Sequence, residues 1–256
     1  MDFNDLTFVL QGNMRPESGH CIRAIRGLFP DSKMVLSTWK KEPILKEWDL
    51  CDHVVLIPEI PSFDGSESAK NLPRQILSTQ GGLNKVETNF VVKIRSDLIL
   101  QEQFKLYLKS VKPGILYAWR NFTAEPRKTG LLFHLSDLLL VADTRTLKKY
   151  WDQPFDSNLA SNLLPEQYLF WSFVASESGY SLEDGCKCSF EQIRRHVKAM
   201  KKFVRILPKN VAVLPERLQK HDNSFQRDKN YTNATSEVLL LELAFIARKC
   251  KRFLKL

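Results

Sequence analysis

Strand-like and helix-like segments alternate through the first hundred residues, and no other feature restricts the fold as tightly. Leu6 to Leu10 is a short apolar run ending at Gln11-Gly12, the pattern of a buried strand. Cys21 to Phe29 carries Ile22, Ile25 and Leu28 at helical spacing, and Pro30-Asp31 ends it. Lys33 to Trp39 and His53 to Ile57 are two more strands, the latter stopped by Pro58. Leu72 to Gln80 reads as a helix, with Pro73 in its first turn, where a missing N–H is harmless. Gly81-Gly82 is its expected stop. Phe90 to Arg95 is a fourth strand with Ser96-Asp97 at its carboxyl end. This alternation predicts parallel β-α-β units in a sheet covered on both faces. Ligands bind such sheets outside the carboxyl ends of the strands. Four places therefore stand out: Gln11-Gly12, Thr38-Trp39, Pro58-Glu59 and Ser96-Asp97.

The second half is more mixed. Gly114 to Arg120 and Leu138 to Val141 read as strands. Thr144 to Trp151 reads as a helix capped by Asp143 or Thr144. Leu164 to Ala175 is helical, since Pro165 and Glu166 suit a first turn. Glu191 to Arg205 is a basic helix with Ile193, Val197, Met200 and Val204 on its apolar side. A polar stretch from Arg217 to Thr235 precedes a final helix, Val238 to Leu256, whose apolar face is Leu239, Leu243, Ile246, Cys250 and Phe253. Lys and Arg crowd its C-terminal half. That composition fits either a helix lying on an anionic membrane or one packed on the domain with a solvated basic face.

With 256 residues, 43% of them apolar, the chain can bury the core of one large α/β domain. Its net charge of +9 favours nucleic acid, an anionic membrane or phosphorylated substrates, and does not choose among them. Five cysteines, with Cys186-Lys187-Cys188 the one close pair, make neither a disulfide framework nor a full zinc set. Reduced cysteines in a cytosolic protein are expected. The acidic start Met1-Asp2-Phe3-Asn4-Asp5 lacks the features of an export signal. No run reaches the ~18 apolar residues of a membrane span.

The central candidate for chemistry is Lys93-Ile94-Arg95-Ser96-Asp97. A leaving diphosphate must be neutralised by a metal held on carboxylates or by Lys and Arg. A strand-end Asp flanked by Arg95 and Lys93 could supply either. Alternatively Asp97 is a turn residue, with Lys93 and Arg95 on a solvated edge. The stretch from Asn71-Leu-Pro-Arg-Gln-Ile-Leu-Ser-Thr to Leu83, followed by Phe90-Val-Val-Lys-Ile-Arg-Ser-Asp97, resembles the WavE-type lipopolysaccharide synthesis family. Phe8-Val-Leu-Gln-Gly12, Ser18 to Pro30, Leu36-Ser-Thr-Trp39 and Cys51-Asp52 agree with it. The resemblance runs over roughly residues 5–100 and thins beyond.

The resemblance implies a GT-A-type glycosyltransferase: an α/β fold with a mostly parallel central sheet flanked by helices. Its nucleotide-binding half would be residues 1–100 and its acceptor-binding half 101–235, with 236–256 as a C-terminal basic amphipathic helix. The reaction would move a sugar from a nucleotide-sugar donor to a lipopolysaccharide- or capsule-type glycan, free or lipid-linked. The GT-A pattern has Asp-X-Asp after the fourth strand, binding a divalent metal, Mn²⁺ or Mg²⁺. Here the place reads Arg95-Ser96-Asp97, so only its second acidic position is filled and Arg95 can replace part of the metal's charge. By the same layout His221, in the polar stretch before the last helix, would complete a metal site with Asp97, or is a surface histidine. Glu166 would be the catalytic base, or would simply complement the helix dipole. Asp137 would hold a substrate hydroxyl, or is a strand-start turn residue. Gln11, Gly12, Thr38, Asn71, Arg74 and Arg95 would line the donor site beside Asp97. The expected setting is cytoplasmic, peripheral on the inner membrane.

Two readings compete. A catalytically dead scaffold is compatible with the missing acidic residue. A nucleic-acid-binding protein would explain the charge and the run Arg194, Arg195, Lys198, Lys201, Lys202. No recognised nucleic-acid signature accompanies it, so no specific nucleic-acid partner is expected. A nucleotidyltransferase would want a Gly-rich phosphate loop where Gly12-Asn13-Met14-Arg15-Pro16 stands, and no Gly-x-x-x-x-Gly-Lys loop is present.

Overall fold

The computed structural model describes residues 2–60, 67–119, 132–186 and 189–215. The strands of the first half fall where the apolar runs place them: β1 Leu6–Gln11, β2 Lys33–Trp39, β3 His53–Ile57 and β4 Phe90–Arg95. After them come β5 Ile99–Leu100, β6 Leu116–Trp119, β7 Leu139–Asp143, β8 Val204–Leu207 and β9 Ala212–Val213. Seven strands form one sheet in the order β3-β2-β1-β4-β7-β6-β8, and β5 pairs with β9 apart from it. Within the large sheet β7 alone runs against the others. This mostly parallel sheet, with one reversed strand after the fourth, is the GT-A sheet that the resemblance implies.

Both faces are covered, as a parallel sheet requires. Phe8, Leu10, Met34, Leu36, Val92 and Ile94 point to one face, together with Ile22 and Ile25 of α1 (Ser18–Leu28) and Phe104 of α3 (Phe104–Leu108). Val9, Val35, Val91 and Leu140 point to the other. There α2 (Glu67–Leu83), α4 (Thr144–Trp151), α5 (Ser157–Asn162), α6 (Pro165–Ser178) and α7 (Phe190–Phe203) supply the packing.

Local signals explain several boundaries. Asp143 caps α4 by accepting from the Thr146 N–H at 2.9 Å. Gly179, at φ 68°, closes α6 in the left-handed conformation that glycine adopts without strain. Ile193, Val197 and Met200 of α7 are buried while Arg194, Lys198, Lys201 and Lys202 face solvent.

Two helix readings need correction. The helix expected over Leu72 to Gln80 begins at Glu67 and ends at Leu83, so Pro73 lies in its interior and Gly81-Gly82 within its last turn. Those glycines do not stop the helix; they let it approach the sheet. A Cβ on Gly81 would stand 2.5 Å from Ile57 Cδ1, and one on Gly82 2.5 Å from Val9 Cγ1 and 3.1 Å from Ser37 Cβ. The helix expected to reach Arg205 ends at Phe203, because Val204 onward pairs with β6 as β8.

Gly82→Ala should therefore lower stability by about 1–3 kcal/mol through overpacking. The ~1 kcal/mol helix-propensity gain of alanine works against this. Val9, fully buried in β1, has little room to yield, so a net fall in Tm is expected by thermal denaturation. An unchanged or higher Tm would mean that α2 lifts off the sheet at little cost.

Candidate functional site

Three strands, two helices and one strap deliver the candidate residues to the carboxyl edge of the sheet. At the end of β1 the side chain of Gln11 donates to Ser78 Oγ of α2 at 2.7 Å. Gly12 follows at φ 125°, a conformation open to glycine. Thr38 is fully buried and donates to the Gly12 carbonyl at 2.8 Å. Gln11 and Thr38 thus spend their side chains fastening strand ends. Asn71 is exposed on α2. Arg74 lies 4.4 Å over the Trp39 ring and pairs with Glu59 at 3.2 Å, joining the ends of β2 and β3. These residues border the same edge through these separate contacts.

At the end of β4 the residues do converge. Asp97 is buried, and Arg95 grips it through two of its guanidinium nitrogens, Nε to Oδ1 at 3.1 Å and Nη2 to Oδ2 at 2.7 Å. Arg15, from the loop after β1, adds a third contact at 3.5 Å to Oδ2. Ser96 donates to the Asn13 carbonyl at 2.7 Å, tying the two loops together.

Deeper on β4, Lys93 is fully buried, not on a solvated edge. Its ammonium donates to the backbone carbonyl of Asp137 and lies 3.3 Å from Asp137 Oδ2. It also stands 5.2 Å over the Trp151 ring. The strap 132–138 that carries Asp137 is buried from Phe133 onward. Phe133 has φ 56°, the one positive value among described non-glycine residues. Such a conformation costs on the order of 1–3 kcal/mol and persists where its surroundings hold it. Here the Phe133 N–H donates to His196 Nδ1 at 3.1 Å, and Lys93 grips the other end.

The strap and the first turn of α6 bring Asp137, His134 and Glu166 together. His134 Nε2 lies 3.6 Å from Glu166 Oε2. Burial pushes the Glu166 carboxyl up to about 7, and the Asp137 charge adds to it. Burial alone would raise Asp137 as well, but Lys93 and then Arg95 outweigh it and hold that carboxyl below its usual range. Two neighbouring carboxylates are thus pushed apart in acidity, the arrangement that separates a proton-accepting group from a fixed charge. The hydroxyl of Tyr150 and the Nε1 of Trp151 are buried beside this cluster without a hydrogen-bond partner among the described residues. Tyr150, Trp151 and Arg15 carry no sequence signal of their own that marks them as part of the site. The one signal the sequence offers for the buried cluster is Lys93 itself, a lysine inside a strand otherwise apolar enough to be covered on both faces.

His221 and the final helix lie outside the described residues. Among the described residues no three His, Cys, Asp or Glu side chains come together as a metal site. No described helix is long and apolar enough to cross a membrane.

The sequence profile for WavE lipopolysaccharide synthesis matches residues 6–168, more than half of the chain. The chain belongs to the WavE lipopolysaccharide synthesis family. The match runs from β1 past Glu166, so it takes in the strap as well as the first four strands. No curated protein sequence matches the chain. Among solved structures it is similar to glucosyl-3-phosphoglycerate synthase from Mycobacterium tuberculosis with Mn²⁺, UDP and phosphoglyceric acid (TM-score 0.47, 14% identity, 86% of this chain and 74% of that one). It is also similar to galactosyltransferase LgtC with donor and acceptor sugar analogs (0.39, 11%, 78% and 72%). A third likeness is to S. aureus TarS with UDP (0.41, 13%, 76% and 65%). Membership in a lipopolysaccharide-synthesis family, with a GT-A sheet, places the chain among the glycosyltransferases.

Proposed function

We propose that this WavE family member transfers a sugar from a nucleotide-sugar donor to a lipopolysaccharide- or capsule-type glycan, with Glu166 as the base. The observation that carries the reading is the separation of Glu166 from Asp137: one carboxyl near 7, the other held ionised by a buried lysine. An acceptor hydroxyl is a poor nucleophile until its proton has somewhere to go. Glu166, ionised just above neutrality, takes that proton as the hydroxyl oxygen bonds to the anomeric carbon. The bond from that carbon to the donor phosphate breaks, and the nucleotide leaves with the electron pair. Asp137, ionised at neutral pH, is suited to orient a sugar hydroxyl. Transfer from the face opposite the leaving group inverts the anomeric centre.

The donor occupies the edge formed by Gly12, Arg74, Arg95 and Asp97 in this reading. Residues 236–256, with their apolar stripe and clustered Lys and Arg, would rest on the cytoplasmic face of an anionic membrane, where a lipid-linked acceptor is presented.

A thermal-shift screen against UDP, GDP, CMP and their sugar conjugates tests the reading. A ligand at ~100 times its dissociation constant stabilises the fold by ~2.7 kcal/mol. A shift confined to one nucleotide family is expected. No shift with any of them, together with no sugar transfer to glycan acceptors, would favour a non-catalytic scaffold.

A further inference from the structure

The GT-A resemblance carries a divalent metal with it, and the residues at the end of β4 do not fit one. The first acidic position is Arg95. The carboxylate of Asp97 is buried, with Oδ1 held by Arg95 and Oδ2 shared by Arg95 and Arg15. A cation reaching Asp97 would have to break a bidentate guanidinium pair and then sit against two positive charges. Bidentate Arg–carboxylate pairs are among the stronger charge-assisted contacts, and like charges at that range repel.

The same arrangement offers something else. Among the described residues one carboxylate faces two guanidiniums, a trio with one positive charge in excess. Arg15 and Arg95 keep 40% and 26% of their side chains exposed, while Asp97 keeps 1%. The cations therefore face outward and the anion lies behind them. The loop bearing Arg15 is fastened: the Met14 N–H donates to Glu42 at 2.8 Å and the Arg15 N–H to Ser18 Oγ at 2.9 Å. Arg15 also borders a cavity of about 350 Å³ whose wall carries His20 and the Arg23–Glu47 ion pair. Planar guanidiniums match phosphate oxygens in pairs.

We propose that Arg15 and Arg95, positioned by Asp97, form a clamp that neutralises the donor diphosphate without a divalent metal. The inference rests on the transferase reading and specifies its donor site. Asp97 is then a positioning residue that aims both guanidiniums, not a metal ligand.

Isothermal titration of the full chain with UDP, GDP, CDP and CMP, each in EDTA and again in excess Mn²⁺, tests it. One nucleoside diphosphate should bind, with an affinity that agrees within about threefold between the two conditions. Arg15→Gln should weaken that nucleotide by about 10-fold or more, the loss of one charge-assisted contact, and Mn²⁺ should not restore it. Arg95→Gln takes the bidentate partner from a buried carboxylate, so Arg95→Gln with Asp97→Asn is the companion variant. It should fold and bind as weakly. Binding that requires Mn²⁺, or that only CMP shows, overturns the clamp and leaves the transferase reading standing. Wild-type affinity in Arg15→Gln overturns the clamp as well. No binding by any nucleotide in either condition overturns the transferase reading and the clamp with it.

Discussion

Glu166→Gln is expected to lower kcat by about 10²–10⁴, the contribution of a positioned general base, with little change in how the donor binds. The wild-type rate should rise with pH through about 7, because the base works only when ionised and the Glu166 carboxyl sits near that value. The variant should lose this limb. Stability moves the other way. The folded value lies above the ordinary 4.5, so the folded chain holds a proton that the unfolded chain releases. The stabilisation is complete below about 4.5 and is lost as pH rises through about 7. Glu166→Gln, neutral throughout, should therefore show a flatter stability profile between these limits and be the more stable protein at high pH. The pH–rate profile and urea denaturation at several pH values check both halves. A near-normal rate with the acid limb intact would assign Glu166 to the fold or point to a retaining reaction.

The frame of the site could be read from residue pattern because it depends on local rules. Short apolar runs ended by Gln11-Gly12, Pro58 and Ser96-Asp97 became strands whose carboxyl ends share one edge. Where the pattern misled, packing across the sheet prevailed over local propensity. Gly81-Gly82 has the composition of a helix stop, yet it is a contact surface against Val9, Ser37 and Ile57. Nothing near those glycines in the chain discloses that contact.

The site itself was only partly legible for the same reason. Glu166 and Asp137 could be chosen by layout, and each lies within reach of the other's charge. What sets their acidity, besides burial, is long-range: Lys93 is 44 residues from Asp137. The end of β4 is as remote in sequence from its partner, since Arg15 reaches Asp97 across two helices and three strands. Gln11 and Thr38 sit at strand ends as a donor site would have them; Gln11 also ties β1 to Ser78 of α2, and Thr38 holds the Gly12 carbonyl. A polar residue at a strand end serves ligand or fold, and only its hydrogen-bond partner distinguishes the two.

Lys93→Met should cost about 3–5 kcal/mol of stability at neutral pH, the penalty for leaving one member of a buried ion pair uncompensated. Methionine nearly fills the space, so the loss measures charge and hydrogen bonding, not volume. Asp137 would remain buried and ionised beside Glu166 with its main counter-charge gone. The strap would also lose the ammonium that holds the Asp137 carbonyl. In the wild type the depressed Asp137 value stabilises the fold above about 3.8 and that contribution disappears as pH falls. The penalty of Lys93→Met should shrink accordingly in acid, where Asp137 takes a proton. Adding Asp137→Asn to Lys93→Met removes the stranded charge and should recover much of the loss, a coupling that a double-mutant cycle by urea denaturation would show. Additive losses would mean that the pair is not the link holding the strap. Asp137→Asn alone has a separate readout in the enzyme. The Asp137 charge raises Glu166, so its removal should move the acid limb of the rate profile to lower pH. A limb that stays near 7 would leave burial as the sole cause of the Glu166 shift, and Lys93 would then matter to the fold without tuning the base.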